Sequence, residues 1–153
     1  MDPKFEAKVK ELPDFFTKLQ KSSKFPRSQL EGIPKKGIYV FYEGDKPIYV
    51  GRSNRMKMRL QEHSRPSSGH FSATFAFNLA VKRAKENGID IDKERGQLLV
   101  DPHFNTLFLE EKERVSRMLI QTIEIDDQIS QTLFEVYASM ALDTLEFNDF
   151  TAH

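Results

Sequence analysis

Two runs of β-branched and aromatic residues, 37–42 (GIYVFY) and 47–51 (PIYVG), are separated by only Glu43, Gly44, Asp45 and Lys46. Strands joined by so short a connection pair antiparallel, so the spacing predicts a hairpin. A hairpin alone is marginal in water, and the rest of the chain must cover and extend it. The run 118–125 (MLIQTIEI) has too few polar residues for an edge strand and is expected at the centre of the sheet.

The helical pattern supplies the cover. Residues 4–21 read as one or two short amphipathic helices interrupted near Pro13, followed by a loop. Ser53 is placed to cap a helix over 54–63, with Met56, Leu60 and His63 on one side. Further helices are expected over 71–86, over 104–116, and from Asp126-Asp127 to about 142, the acids suiting a helix N-terminus. The expectation is an α/β fold, a small sandwich with a three-stranded, mainly antiparallel sheet flanked by helices. One domain is expected over 1–153, with 1–30 as an N-terminal helical extension and 64–116 as a helical insertion before the third strand.

Composition narrows the function classes. At 153 residues and 39% hydrophobic, one sizeable core is attainable without staples. The absence of cysteine excludes disulfides, thiolate metal sites and a thiol nucleophile. The charged N-terminus lacks the apolar core of a secretory signal, and no apolar run approaches the roughly 18–20 residues of a bilayer span, so a cytoplasmic protein without membrane contact is expected. All 23 basic residues lie in 1–117, whereas 118–153 carries seven acids and no base. Such a division lets one part hold a polyanion while the other supplies carboxylates, or it simply draws the two parts together.

Hairpin register decides whether Tyr39 and Tyr49 can act together. A two-residue Gly44-Asp45 loop with regular pairing would set Tyr39 opposite Val50, putting the tyrosines on opposite faces. A three-residue loop, Glu43-Gly44-Asp45, would pair Tyr39 directly with Tyr49, so an odd loop or a bulge is expected. Without further information the same aromatics read as a core patch. Arg55 and Arg59, four apart on the expected helix, repel in isolation and make more sense beside an anion. Glu135 is the only acid in 128–142, and a lone carboxylate on an apolar helix needs a partner or water.

Taken in order, Gly37-Ile38-Tyr39, Tyr49-Val50-Gly51, Arg59 and His63, then Glu135 and Asn148, resemble the GIY-YIG nuclease family over about 37–63 and 118–150. The resemblance implies a divalent-metal-dependent endonuclease hydrolysing phosphodiester bonds, usually in DNA. It implies Glu135 as the single protein ligand of a Mg²⁺ or Mn²⁺ ion, in keeping with the tendency of Mg²⁺ to retain several waters. Tyr39 and Tyr49 would be the general base and its helper, in either order, and Arg59 would bind the phosphate and offset transition-state charge. Arg52, Arg55, His63 and Asn148 would contact substrate or support the site. Many relatives have lysine where this chain has Arg52; a guanidinium does not deprotonate, so the base falls to a tyrosine.

No phosphate-binding glycine loop or nucleophile elbow is present, and His63, His70, His103 and His153 lack zinc spacing. Specificity for DNA is expected to come from within the chain. Arg65, Lys82, Arg83, Lys85, Lys93 and Arg95 are candidates for phosphate contacts, with Asn78 or Gln97 for bases, unless 64–116 is a scaffold. A restriction-type enzyme would act as a homodimer on a symmetric site, and a structure-specific one as a monomer. The alternatives to a nuclease are a catalytically inactive nucleic-acid-binding module and a protein-interaction module on the same fold.

Overall fold

The computed structural model describes residues 1–150; His153 lies outside them. The chain divides into two compact units, residues 1–57 with 118–150, and residues 58–117.

The first unit holds the sheet. Its strands are β1 (Phe25–Pro26), β2 (Gly37–Glu43), β3 (Lys46–Ser53) and β4 (Leu119–Glu124), antiparallel in the order β1-β4-β2-β3. The sheet is thus four-stranded, not three-stranded. The extra strand, β1, is two residues long and ends in proline, too short for any periodicity to mark it. β2 is apolar on both faces and every residue from Gly37 to Tyr42 is buried, as an interior strand requires. β4 is also interior, as its composition predicted.

One face of this sheet carries Ile38, Val40, Val50 and Ile123, which share a core with Leu12 and Leu19 of α1 (Pro3–Lys21) and with Phe134 and Ala138 of α6 (Gln128–Ala141). α1 runs unbroken through Pro13, contrary to the expected interruption. Burial of Leu12 and Leu19 on either side outweighs the one hydrogen bond that proline removes. Asp127 caps α6, accepting from Ser130 N–H at 2.8 Å, and is also paired with Lys8 of α1 at 3.0 Å. The backbone donor first and the ammonium second hold its carboxyl down to about 2. This pair joins the basic N-terminal part to the acidic C-terminal part, so part of the charge asymmetry is spent within the fold.

β3 is an edge strand, and the N–H and C=O of its Val50 point away from β2. Both are met by Asn148: Val50 N–H donates to Asn148 Oδ1 at 3.0 Å and Asn148 Nδ2 donates to Val50 O. Thr144 Oγ1 donates to the same Oδ1 at 2.9 Å. The side-chain amide thereby takes the place of a neighbouring strand at one position.

The second unit is helical. α2 (Met56–Glu62) leads into it, followed by α3 (Thr74–Glu86), α4 (Arg95–Val100) and α5 (Pro102–Ser116). α4, in a stretch for which no helix was expected, rests on a capping box between Glu94 and Gln97. α5 begins two residues earlier than expected because Asp101 caps it and Pro102 occupies its first turn. Phe77 packs on Phe104 and Phe108 at ring-centroid distances of 5.2 and 5.7 Å. No helix among the described residues is long and apolar enough to cross a membrane.

Val50 is fully buried, so removing its partner strands two backbone groups at once. Asn148→Ala is expected to lower stability by about 3 kcal/mol in urea denaturation, far above an exposed Asn→Ala change.

Candidate active site

The β2–β3 hairpin sets the geometry. Its turn is the two-residue Gly44-Asp45, with Gly44 at φ 61°, where a side chain would be strained. The extra residue sits in β3: Tyr42 faces Pro47 and Phe41 faces Tyr49, so Ile48 is the bulge. The expectation of a bulge holds, but Tyr49 pairs with Phe41, and Tyr39 pairs with Gly51. One face of the hairpin therefore carries Tyr39, Phe41, Tyr49 and Gly51. The rings of Tyr39 and Tyr49 lie diagonally, 6.4 Å between centroids, and each flanks Phe41.

Gly51 has a steric reason. A Cβ there would overlap the phenol ring of Tyr39, whose side chain crosses the strand at that point. The glycine of Tyr49-Val50-Gly51 and the tyrosine of Gly37-Ile38-Tyr39 are two halves of one contact. Gly37 is constrained as well, at φ 153° with the Ile123 carbonyl where its Cβ would be.

Glu135, on α6, meets Arg52 on β3, with Nε 3.3 Å from Oε2. The Glu135 side chain retains 18% of its exposure and that of Arg52 retains 41%. Burial pushes the Glu135 carboxyl above its ordinary range, and the guanidinium offsets this only in part. A half-buried carboxylate still short of positive charge fits a divalent cation that keeps most of its waters. Among the described residues no cluster of three or more His, Asp or Glu could hold a metal. Any ion would rest on Glu135 alone.

The pleat separates these two pairs. Arg52 and Val50 project to the face covered by α6, and Tyr39, Phe41 and Tyr49 to the other. The hairpin brings the tyrosines together and α6 brings Glu135 to Arg52.

The remaining expected residues fall differently. Asn148 has both side-chain polar atoms committed to Val50 and Thr144, so it fastens the C-terminal segment to β3 in the supporting role expected of it, rather than pointing free for a substrate contact. Arg55 precedes α2, so it and Arg59 are not two residues of one helix; its N–H donates to Ser53 Oγ at 2.9 Å and its side chain is exposed. In the second unit, Arg59 Nη1 donates to Ser72 O at 2.7 Å and lies 3.3 Å from Glu62 Oε2. His63 is fully buried, and burial first, then the charge of Arg59, pulls its imidazole well below the ordinary value. Its side chain is closed off from solvent and continues the buried face of Met56 and Leu60, rather than standing open to a phosphate.

Several insertion cations are also engaged within their unit. Arg83 contacts Glu110 at 2.8 Å and the buried Glu111 at 3.2 Å, Lys93 lies 3.7 Å from Asp101, and Arg95 stacks over Phe77. Gln97, considered for base contacts, closes the capping box of α4. Lys112, which sequence reading passed over, is buried and donates to the carbonyls of Pro66 and Ser68 at 2.6 and 2.9 Å; nothing in a charged helix marks one lysine as an interior tie. Comparison with family models, with curated proteins and with solved structures returned no match.

Two outcomes follow. Gly51→Ala should cost about 2 kcal/mol, because the Tyr39 ring must leave its place; urea midpoints measure this. For Glu135 the folded-state pKa is raised, so the carboxyl favours folding below its unfolded value and loses that contribution as pH rises through the folded value. Relative to wild type, Glu135→Gln should therefore gain stability as pH rises from the ordinary carboxylate value through the raised folded-state value. A loss over that interval would mean that Arg52 outweighs burial.

Proposed function

We propose that the protein is a divalent-metal-dependent endonuclease acting on DNA, of the GIY-YIG kind. The observation that carries this reading is the tyrosine pair. A bulge at Ile48 and a side-chain-free Gly51 put Tyr39 and Tyr49 on one face of a hairpin, at the positions the resemblance requires. Of the two, Tyr49 keeps contact with solvent, whereas Tyr39 is buried.

In this reading one tyrosine accepts a proton from the attacking water and the other orients it. A phenol with a pKa near 10 is a weak base unless cationic surroundings favour its anion. Glu135 holds the Mg²⁺ or Mn²⁺ ion. When bound, the ion supplies charge neutralisation at the scissile phosphate and the leaving oxygen. Arg52 orients Glu135 and partly offsets the cost of its burial, and as a fixed cation it would also suit a phosphate oxygen. The role of Arg59 rests on the resemblance alone.

One observation favours a second reading. The Arg52–Glu135 pair and the tyrosine pair project from opposite faces of β3, which suits a module that binds without cleaving.

The two readings separate in one experiment. Supercoiled plasmid is incubated with wild type, Glu135→Gln and Tyr39→Phe, in Mg²⁺, Mn²⁺ and EDTA, and nicked and linear products are scored. The nuclease reading expects metal-dependent cleavage that falls about 100-fold or more in each folded variant. Duplex binding that weakens with salt, without cleavage by wild type, gives the second reading. Cleavage that survives in Glu135→Gln removes the metal assignment.

A further inference from the structure

The open edge of β4 is covered only at its start. Ile125 N–H donates to Lys36 O at 3.2 Å, and antiparallel alternation then turns the N–H and C=O of Gln121 and Ile123 toward β2. Thr122 and Glu124 turn theirs the other way. β1 pairs with β4 only at Ile120 and Leu119, and the chain before Phe25 departs into α1, where Gln121 Nε2 donates to Ser22 O at 2.7 Å. Among the described residues nothing bonds to the outward backbone groups of Thr122 and Glu124.

Beside this edge lies a groove of about 660 Å³, lined by Glu11, Phe15 and Lys18 of α1, by Pro34, and by Thr122 to Asp126. A donor and acceptor facing outward at every second residue is the pattern an added strand requires. The chemistry of the walls differs by face. Glu124 shares the sheet face of Tyr39 and Thr122, whereas Phe15 packs with the core on the α1 side. Glu11, Glu124 and Asp126 are exposed and outnumber the exposed Lys18, and the charge of Lys8 is already met by Asp127. The groove is therefore acidic and repels a nucleic acid backbone.

We infer that the β4 edge is a docking site for an extended segment of a partner protein in which apolar and basic residues alternate. The segment adds as a strand beside Thr122 and Glu124, its apolar side chains toward Phe15 and its basic ones toward Glu124 and Asp126. This holds whether or not the protein cleaves DNA.

The test uses the full chain and a capped heptapeptide of alternating valine and lysine. Its controls are the same peptide N-methylated along one edge, and one with glutamate in place of lysine. Binding is read by fluorescence anisotropy and by amide hydrogen exchange in NMR. In the free protein the Thr122 and Glu124 amides should exchange faster than those of Gln121 and Ile123, and the peptide should slow them by about tenfold or more. Neither control should bind comparably, and Glu124→Lys with Asp126→Lys should weaken the lysine peptide by about tenfold or more. The inference is overturned by equal binding of the N-methylated or glutamate peptide, or by no binding at about 1 mM. It is also overturned by Thr122 and Glu124 amides already protected in a protein that sediments as a dimer, which would give the edge to a second copy.

Discussion

The first unit depends on a close approach that glycine alone permits. With the phenol of Tyr39 lying across Gly51, the pairing of β2 with β3 is locked at that point, because a shift by one residue would drive the ring into a Cβ. Counting outward from that contact explains the rest. Val50 and Arg52 turn toward α6, Tyr49 falls beside Phe41, and the odd residue has to be absorbed at Ile48, near the turn. Asn148 then closes the outer edge of the strand at Val50. The C-terminal segment is thus fastened to the position next to the glycine.

Glu135 illustrates the opposite kind of constraint, an unmet need. It is the one acid on a helix whose buried residues, Ser130, Gln131, Phe134, Ala138 and Ser139, carry no charge, and it keeps enough contact with solvent to avoid the full cost of burial. Among the described residues its only ion pair is the 3.3 Å contact with Arg52, which is more than a third exposed, an arrangement that stabilises little. A carboxylate kept under these conditions adds little to the stability of the fold.

How much of this could be read from the chain varies with the physical signal involved. The hairpin, the interior third strand and α6 were legible because alternation, β-branched runs and acidic caps are local. The bulge was legible only as a parity requirement, since nothing at Ile48 distinguishes it from its neighbours. β1 was invisible because two residues carry no period. Pro13 misled because a propensity was set against burial that only the tertiary structure reveals. His63 was legible as the continuation of an apolar helix face, and the functional reading set that aside; its burial restores it. Asn148 was placed near the right strand, but an amide bridging both backbone groups of one residue leaves no trace in spacing. The Lys112 tie and the Glu94–Gln97 box in the second unit were missed for the same reason: each depends on a partner chosen by the fold.

The strand order has a consequence for how the molecule is assembled. β2 and β4 are neighbours, yet about 75 residues separate them, and 58–117 lies between. During synthesis β2 acquires β3 at once but has no partner on its other side until the chain has passed Glu124. Closing so long an intervening segment as loose chain costs more entropy than closing one already compact. Folding of 58–117 ahead of the sheet would shorten the effective loop and limit the time for which a wholly apolar strand presents a bare edge to other nascent chains.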